Sequence, residues 1–245
     1  MSLEYREEPD DQSYEQPPTP AQEKIPVPIY TVAILAGIAL VFLSQMYTGL
    51  NNEQAFAAAF NKPEFRDGSY WLILTGAAVH GSVIHVAMNG YALFSFGRLV
   101  EFLSNRAHLA IVFLLSAIGG GILSLVFQPE GSSVGASGGI VGLISYLAVY
   151  SFRRRQFISY EFRKSLLINI GFIFIFGLVL YQVIDNFGHI GGFITGAVYG
   201  LFQIPKDENV DPRTVSHTIE MLGLGALGIY LAACLFSILI TLRVV

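Results

Sequence analysis

The sequence predicts an all-α fold, a bundle of helices that crosses a membrane repeatedly, and three observations predict it. Of 245 residues, 53% are hydrophobic and 13% charged, about half the charged share of a soluble domain, and the mean hydropathy is +0.56. The charges are also segregated. Seven uncharged stretches, at 25–52, 68–97, 107–129, 131–152, 165–184, 186–205 and 221–242, each hold at least 20 residues, and about 20 apolar residues cross a bilayer core. Finally, hydrocarbon offers no partner to backbone N–H and C=O groups, so runs of this length are helices. The lone cysteine, Cys234, lies in the last stretch, which excludes a disulfide framework and a cysteine metal site. The net charge of −4 comes largely from the N-terminal segment and gives no reason to expect a nucleic acid.

Residues 1–26 read as a disordered tail, acidic through Glu4, Glu7, Glu8, Asp10, Asp11, Glu15 and Glu23 and turn-rich at Pro17, Pro18 and Pro20. No basic stretch followed by a short apolar core marks a cleavable signal peptide. The first helix is expected over 28–47. A long loop, 48–81, follows, with an amphipathic piece at 55–60 and the pair Tyr70 and Trp71, suited to the bilayer interface. Further helices are expected over 82–101, 108–127, 135–152, 165–182, 187–204 and 222–242. The chain thus divides into the tail (1–26), a six-helix core (27–204), and a linker with a seventh transmembrane helix (205–245).

Arginine and lysine set the orientation. With the N-terminus cytoplasmic, the inner segments hold eleven of the 14 basic residues and the outer ones only Lys62, Arg66 and Arg243. The second, fourth and sixth helices then start at the outer face. His85, Ser137 and His189 each lie about one turn into one of these helices, within roughly 10 Å of the same boundary at 1.5 Å per residue.

Polar groups distant in sequence and level in depth make a site. Ser137 stands in Gly135-Ala136-Ser137-Gly138-Gly139. A buried hydroxyl needs a partner, and neutral imidazole is the side chain best matched to take its proton. His189 heads the sixth helix, with Gly192, Gly196 and Gly200 on nearly the same face. Glycine stripes are ordinary packing features of membrane helices; here they offer the clearance that two helices need to bring His189 to Ser137. His85 and Asn89, spaced i, i+4, project from one face of the second helix and are candidate donors to an oxyanion, with His80 close before them. No HExxH pair occurs and no carboxylate lies inside the spans, which argues against zinc. Asp185, four residues before His189, reads as an interface residue rather than a third member of a triad. Transporter or channel function would call for inverted repeats, and none is visible.

The ordered set of Gly135-Ala136-Ser137-Gly138, His80-x4-His85-x3-Asn89 and His189-x2-Gly192-x3-Gly196 resembles the rhomboid family of intramembrane serine proteases, over about residues 27–204. The resemblance implies a six-helix rhomboid-like core with an added C-terminal helix. It implies a dyad of Ser137 as nucleophile and His189 as base, an oxyanion hole lined by His85 and Asn89, and packing around the site by Gly135, Gly138, Gly192 and Gly196, with no metal and no cofactor. It also implies single-pass transmembrane substrates cut near the outer membrane face, and the long uncharged spans without a signal peptide fit a bacterial inner or other cell membrane. A rhomboid-like protein that binds transmembrane clients without cleaving them is the alternative. Two positions depart from the common family pattern: Leu72 follows Trp71 where an arginine is frequent, and Val141 stands where an aromatic residue often packs on the base.

Overall fold

The computed structural model describes residues 27–245; the tail expected over 1–26 lies outside them. The described chain folds into a helical bundle. It begins with α1 (Ile29–Thr48), whose first-turn N–H groups have no acceptor inside the helix. The Glu101 carboxylate supplies one, accepting from the Thr31 amide at 2.7 Å and the Thr31 hydroxyl at 2.6 Å. Gly49, with φ +88°, stops the helix in a conformation that glycine adopts without cost.

The loop that follows is ordered by short pieces: a 3-10 turn at Glu53–Phe56, strand β1 (Phe60–Asn61), α2 (Lys62–Arg66) and α3 (Leu72–Thr75). Asn61 caps α2 by accepting from the Glu64 amide. Next come α4 (Val83–Leu103), α5 (Arg106–Phe127), strand β2 (Ser132–Ser133), α6 (Ser137–Arg153), α7 (Tyr160–Val179), α8 (Asn186–Gln203) and α9 (His217–Thr241). β1 and β2 pair antiparallel, Phe60 opposite Ser133 and Asn61 opposite Ser132. This small ribbon ties the first loop to the segment that enters α6.

The seven long helices fall in the seven uncharged stretches, with shifted starts. α7 and α9 begin five residues earlier than expected, because Ser159 and Ser216 accept from the Phe162 and Ile219 amides and cap them. Five of the helices, among the described residues, are long and apolar enough to cross a membrane: α1, α4, α5, α7 and α9. The other two long helices, α6 and α8, carry Ser137 and His189. They are shorter and rich in glycine, and α6 is the innermost element, with twelve of its 17 residues buried. Protein, more than lipid, surrounds it. At the other extreme, α7 buries only Leu166 and Gly177. The chain is a multi-pass integral membrane protein set in a lipid bilayer.

Candidate active site

Ser137 is the first residue of α6, not one turn inside it, and Gly135 is the reason. Gly135 has φ +113°, a conformation closed to residues with a Cβ without strain, and its N–H donates to the Gly76 carbonyl at 3.0 Å. The chain leaves β2, turns sharply and starts the helix with Ser137 partly exposed. The first N–H groups of a helix have no internal acceptor, and the helix dipole adds positive potential there. The serine hydroxyl therefore sits where negative charge is stabilised.

Two side chains of α4 face this turn. Ser82 caps α4 by accepting from the His85 amide at 3.2 Å. A Cβ added at Gly135 would stand 2.8 Å from both Cε1 and Nε2 of His85 and 3.3 Å from Nδ2 of Asn89. Their tautomers follow from their partners. The Gly81 N–H approaches His85 Nδ1 at 3.4 Å, leaving the proton on Nε2, which points at the Gly135 turn. His80 Nδ1 faces the Ala78 carbonyl at 3.0 Å and must donate to it. His80 Nε2 is then bare and accepts from Asn89 Nδ2 at 3.0 Å, which turns the Asn89 amino group, rather than its carbonyl, toward the site. Burial, followed by the neighbouring His85, pushes the His80 imidazole down to about 4, against a smaller upward pull from the Ala78 carbonyl. His80 is thus neutral at physiological pH, as this hydrogen-bond pattern requires.

His189 is the fourth residue of α8. α8 lies directly on α6 through glycines: a Cβ at Gly192 would run into the Gly138 backbone, and one at Gly196 into the Gly142 carbonyl. A Cβ on Gly138 would sit 3.5 Å from the Gly188 carbonyl. The residues on either side of His189 therefore pack against the residue after Ser137. His189 and Ser137 share no hydrogen bond in this resting arrangement, and His189 Nδ1 is buried without a partner. Asp185 does not orient the ring. It caps α8, its Oδ1 accepting from the Gly188 amide at 2.8 Å and its Oδ2 from the Ser124 and Ser133 hydroxyls, each at 2.5 Å.

A cavity of about 50 Å³ opens beside Ser137, between Phe60, Ile73, Ser133, Asp185 and Gly188. Lys62, 1% exposed, donates from Nζ to Ser133 Oγ at 2.9 Å, so Ser133 relays between the ammonium and the Asp185 carboxylate. Burial lowers the Lys62 pKa, and the charge of Asp185 draws it part of the way back.

A family model described as the Rhomboid domain matches residues 67–206. The chain belongs to the rhomboid family. It is 32% identical over 176 residues to rhomboid protease GluP of Bacillus subtilis, covering 69% of this chain and 34% of that protein. It is 31% identical over 141 residues to the mitochondrial RHOMBOID-like protein 6 of Arabidopsis thaliana, covering 57% and 45%. It is also 33% identical over 150 residues to inactive rhomboid protein 1 of Bos taurus, covering 60% and 17%. The chain thus spans less than half the length of these relatives.

Of the site residues named from the rhomboid resemblance, His85 and Asn89 occupy the space where a side chain at Gly135 would stand, while Gly138, Gly192 and Gly196 form the seam between α6 and α8. Val141 is buried. Trp71, which lacks an arginine after it, rests edge-to-face on Phe236 of α9 at 5.8 Å. Sequence reasoning missed Lys62, which looked like an orienting charge, and Gln45, a polar residue inside an apolar span and fully buried. Their one signal was polarity at a depth where polarity is costly.

Proposed function

We propose that this rhomboid is an intramembrane serine endopeptidase that acts through a Ser137–His189 dyad. The observation that carries the reading is the convergence on one turn of three donors: His85 Nε2–H, the Asn89 amino group and the free N–H of Ser137. A glycine seam meanwhile holds the helix of His189 against the helix of Ser137. Catalytic hydrogen bonds are often loose in resting enzymes and tighten with substrate, which accords with the open Ser137–His189 pair.

In the reaction, Ser137 Oγ attacks the scissile carbonyl carbon and its proton passes to His189. The tetrahedral oxyanion accepts from His85, Asn89 and the Ser137 amide. His189 then protonates the departing amine as the C–N bond breaks, leaving an ester on Ser137. Water, deprotonated by His189, hydrolyses that ester and restores the hydroxyl. Every step uses groups of this chain and water, so no metal and no cofactor enters. His189 has no carboxylate behind its Nδ1, so the base is positioned by helix packing.

The substrates of this reading are single-pass transmembrane proteins whose unwound segment reaches Ser137 near the outer membrane face, with the N-terminus of the protease cytoplasmic in a bacterial inner or other cell membrane. The small cavity beside Ser137 suits a small side chain at the cleavage point. The resemblance to a relative named inactive supports a second reading, a rhomboid that binds transmembrane clients without cutting them. One experiment separates the two. In detergent or liposomes, a fluorophosphonate is expected to label Ser137, and Ser137→Ala and His189→Ala each to abolish cleavage of a transmembrane peptide. Folded protein that binds the peptide, takes no label and leaves it intact would establish the binding role instead.

A further inference from the structure

Gln45 has no place in the reaction described above, yet it is the best-connected polar side chain of α1. It is 0% exposed. Its Oε1 accepts from the His80 amide at 3.0 Å, and its Nε2 donates to the His80 carbonyl at 3.1 Å and to the Ala55 carbonyl at 3.0 Å. One side-chain amide therefore grips both backbone groups of His80 as a neighbouring strand would. From the other side, α9 holds the same segment: Tyr230 donates to the Ala77 carbonyl at 3.1 Å, while the Ser237 hydroxyl, which donates to the Ala233 carbonyl within α9 at 2.8 Å, lies 3.4 Å from the Thr75 carbonyl.

The consequence lies one step further along. With its backbone fixed, His80 presents Nδ1–H to the Ala78 carbonyl and bare Nε2 to Asn89. If His80 shifted or changed tautomer, Nε2 would become a donor facing a donor, and the Asn89 amide would have to turn, replacing N–H with a carbonyl oxygen beside the oxyanion. An apolar residue at position 45 would serve a membrane helix equally well, and a buried amide is stabilising only when all its hydrogen-bonding capacity is met, as here.

We propose that Gln45 is a positioning residue for the oxyanion face: by bracketing His80 it fixes the tautomer of that imidazole and thereby the donor orientation of Asn89. Gln45 touches no reacting atom. The inference rests on the protease reading for its effect on rate, but not for its effect on His80.

The test therefore has two arms, both on the full chain in detergent. In the first, ¹⁵N spectra of the His80 ring, assigned with a His80→Gln variant, report the tautomer. The wild type is expected in the Nδ1–H form, and Gln45→Leu to shift the ring toward a mixture or the Nε2–H form. An unchanged Nδ1–H signature in folded Gln45→Leu overturns the proposal whether or not the chain is a protease. In the second arm, kcat and KM for a transmembrane peptide are measured for Gln45→Leu, Asn89→Ala and the double variant. Gln45→Leu is expected to lower kcat about tenfold, a fraction of the roughly 10²–10³ cost of losing an oxyanion donor, with KM within about twofold. Because both residues act through one contact, the double variant should match Asn89→Ala within about twofold. Loss factors that simply multiply overturn the proposal. Where Gln45→Leu does not accumulate as folded protein, Gln45→Glu, which retains the acceptor for the His80 amide and can keep at most one of the two donated bonds, enters the same two arms. A wild type with the expected His80 signature and no labelling of Ser137 overturns the protease reading and leaves the bracket standing.

Discussion

Gly135 concentrates the residue-scale constraints of the site. Its φ of +113° makes the turn that starts α6 at Ser137, and its missing side chain leaves room for the ring of His85 and the amide of Asn89. Gly135→Ala acts on both. The backbone strain costs about 1–2 kcal/mol, and the new methyl, 2.8 Å from His85 Nε2, pushes the imidazole off the proposed oxyanion position. We expect cleavage to fall at least about tenfold, toward the 10²–10³ associated with losing one donor, with a modest drop in thermal stability. Parallel measurement of peptide cleavage and unfolding temperature in detergent checks this. A wild-type rate would mean that His85 takes no part. At this scale the sequence was legible where chemistry narrows the choice: a serine, three histidines and an asparagine stand out against apolar spans. Gln45 and Lys62 were not legible, because their value lies in contacts to chain distant in sequence, His80 for one and Ser133 for the other.

Among the elements, the α6–α8 seam decides whether the proposed Ser137–His189 dyad can form at all. Lipid tails are as apolar as leucine, so helices in a bilayer associate through close packing more than through hydrophobic burial. Gly192 and Gly196 take the contact to its limit, backbone against backbone, on Gly138 and Gly142. A methyl at Gly196 meets the Gly142 backbone and Ser145 Oγ at 2.6 Å and forces the helices apart. Gly196→Ala is expected to cost about 1–3 kcal/mol as overpacking and to lower cleavage by moving His189 away from Ser137. Gly171→Ala on α7, with nothing within 4 Å of the added Cβ, is expected to stay within about 0.5 kcal/mol of wild type and to keep the wild-type rate. Equal effects at the two glycines, read by thermal unfolding and by peptide cleavage, would refute the seam. The long helices were legible as uncharged stretches, and the glycine spacing on α8 pointed to the face that packs. Helix starts were harder to read, since capping serines carry α7 and α9 past their charged first turns. The first loop was the least legible part. Its short pieces are fixed by bonds such as Thr75 Oγ1 to the Ala58 carbonyl and the Gly135 amide to the Gly76 carbonyl, which no local pattern announces.

For the whole molecule, α9 is integral to the bundle rather than appended to it. It packs against α1, α3 and α5 and buries Ala226, Leu227, Tyr230, Ala233 and Cys234. Gly223 lies against the Ala107 backbone, a Cβ at Gly37 would stand 3.0 Å from Cys234 Sγ, and Tyr230 meets Phe113 edge-to-face at 4.9 Å. None of these residues lines the cavity beside Ser137, and the bond from Tyr230 ends on the segment that leads to His80. Removing α9 leaves every proposed reacting group in the chain but opens a groove along α1 and α5 and takes from the Ala77 carbonyl its bond to Tyr230. A chain ended after residue 204 is therefore expected to lose more stability than a single large-to-small core substitution, about 2–5 kcal/mol, and to cleave more slowly as well. The rate should fall in kcat more than in KM, because the part left unsupported leads to the proposed oxyanion donors, while the cavity beside Ser137 contains no residue of α9. Thermal unfolding and steady-state cleavage of the shortened chain, set against the full one, decide it. A shortened protein as stable and as active as the full chain would reduce α9 to an anchor, and a loss confined to KM would place its influence at substrate entry.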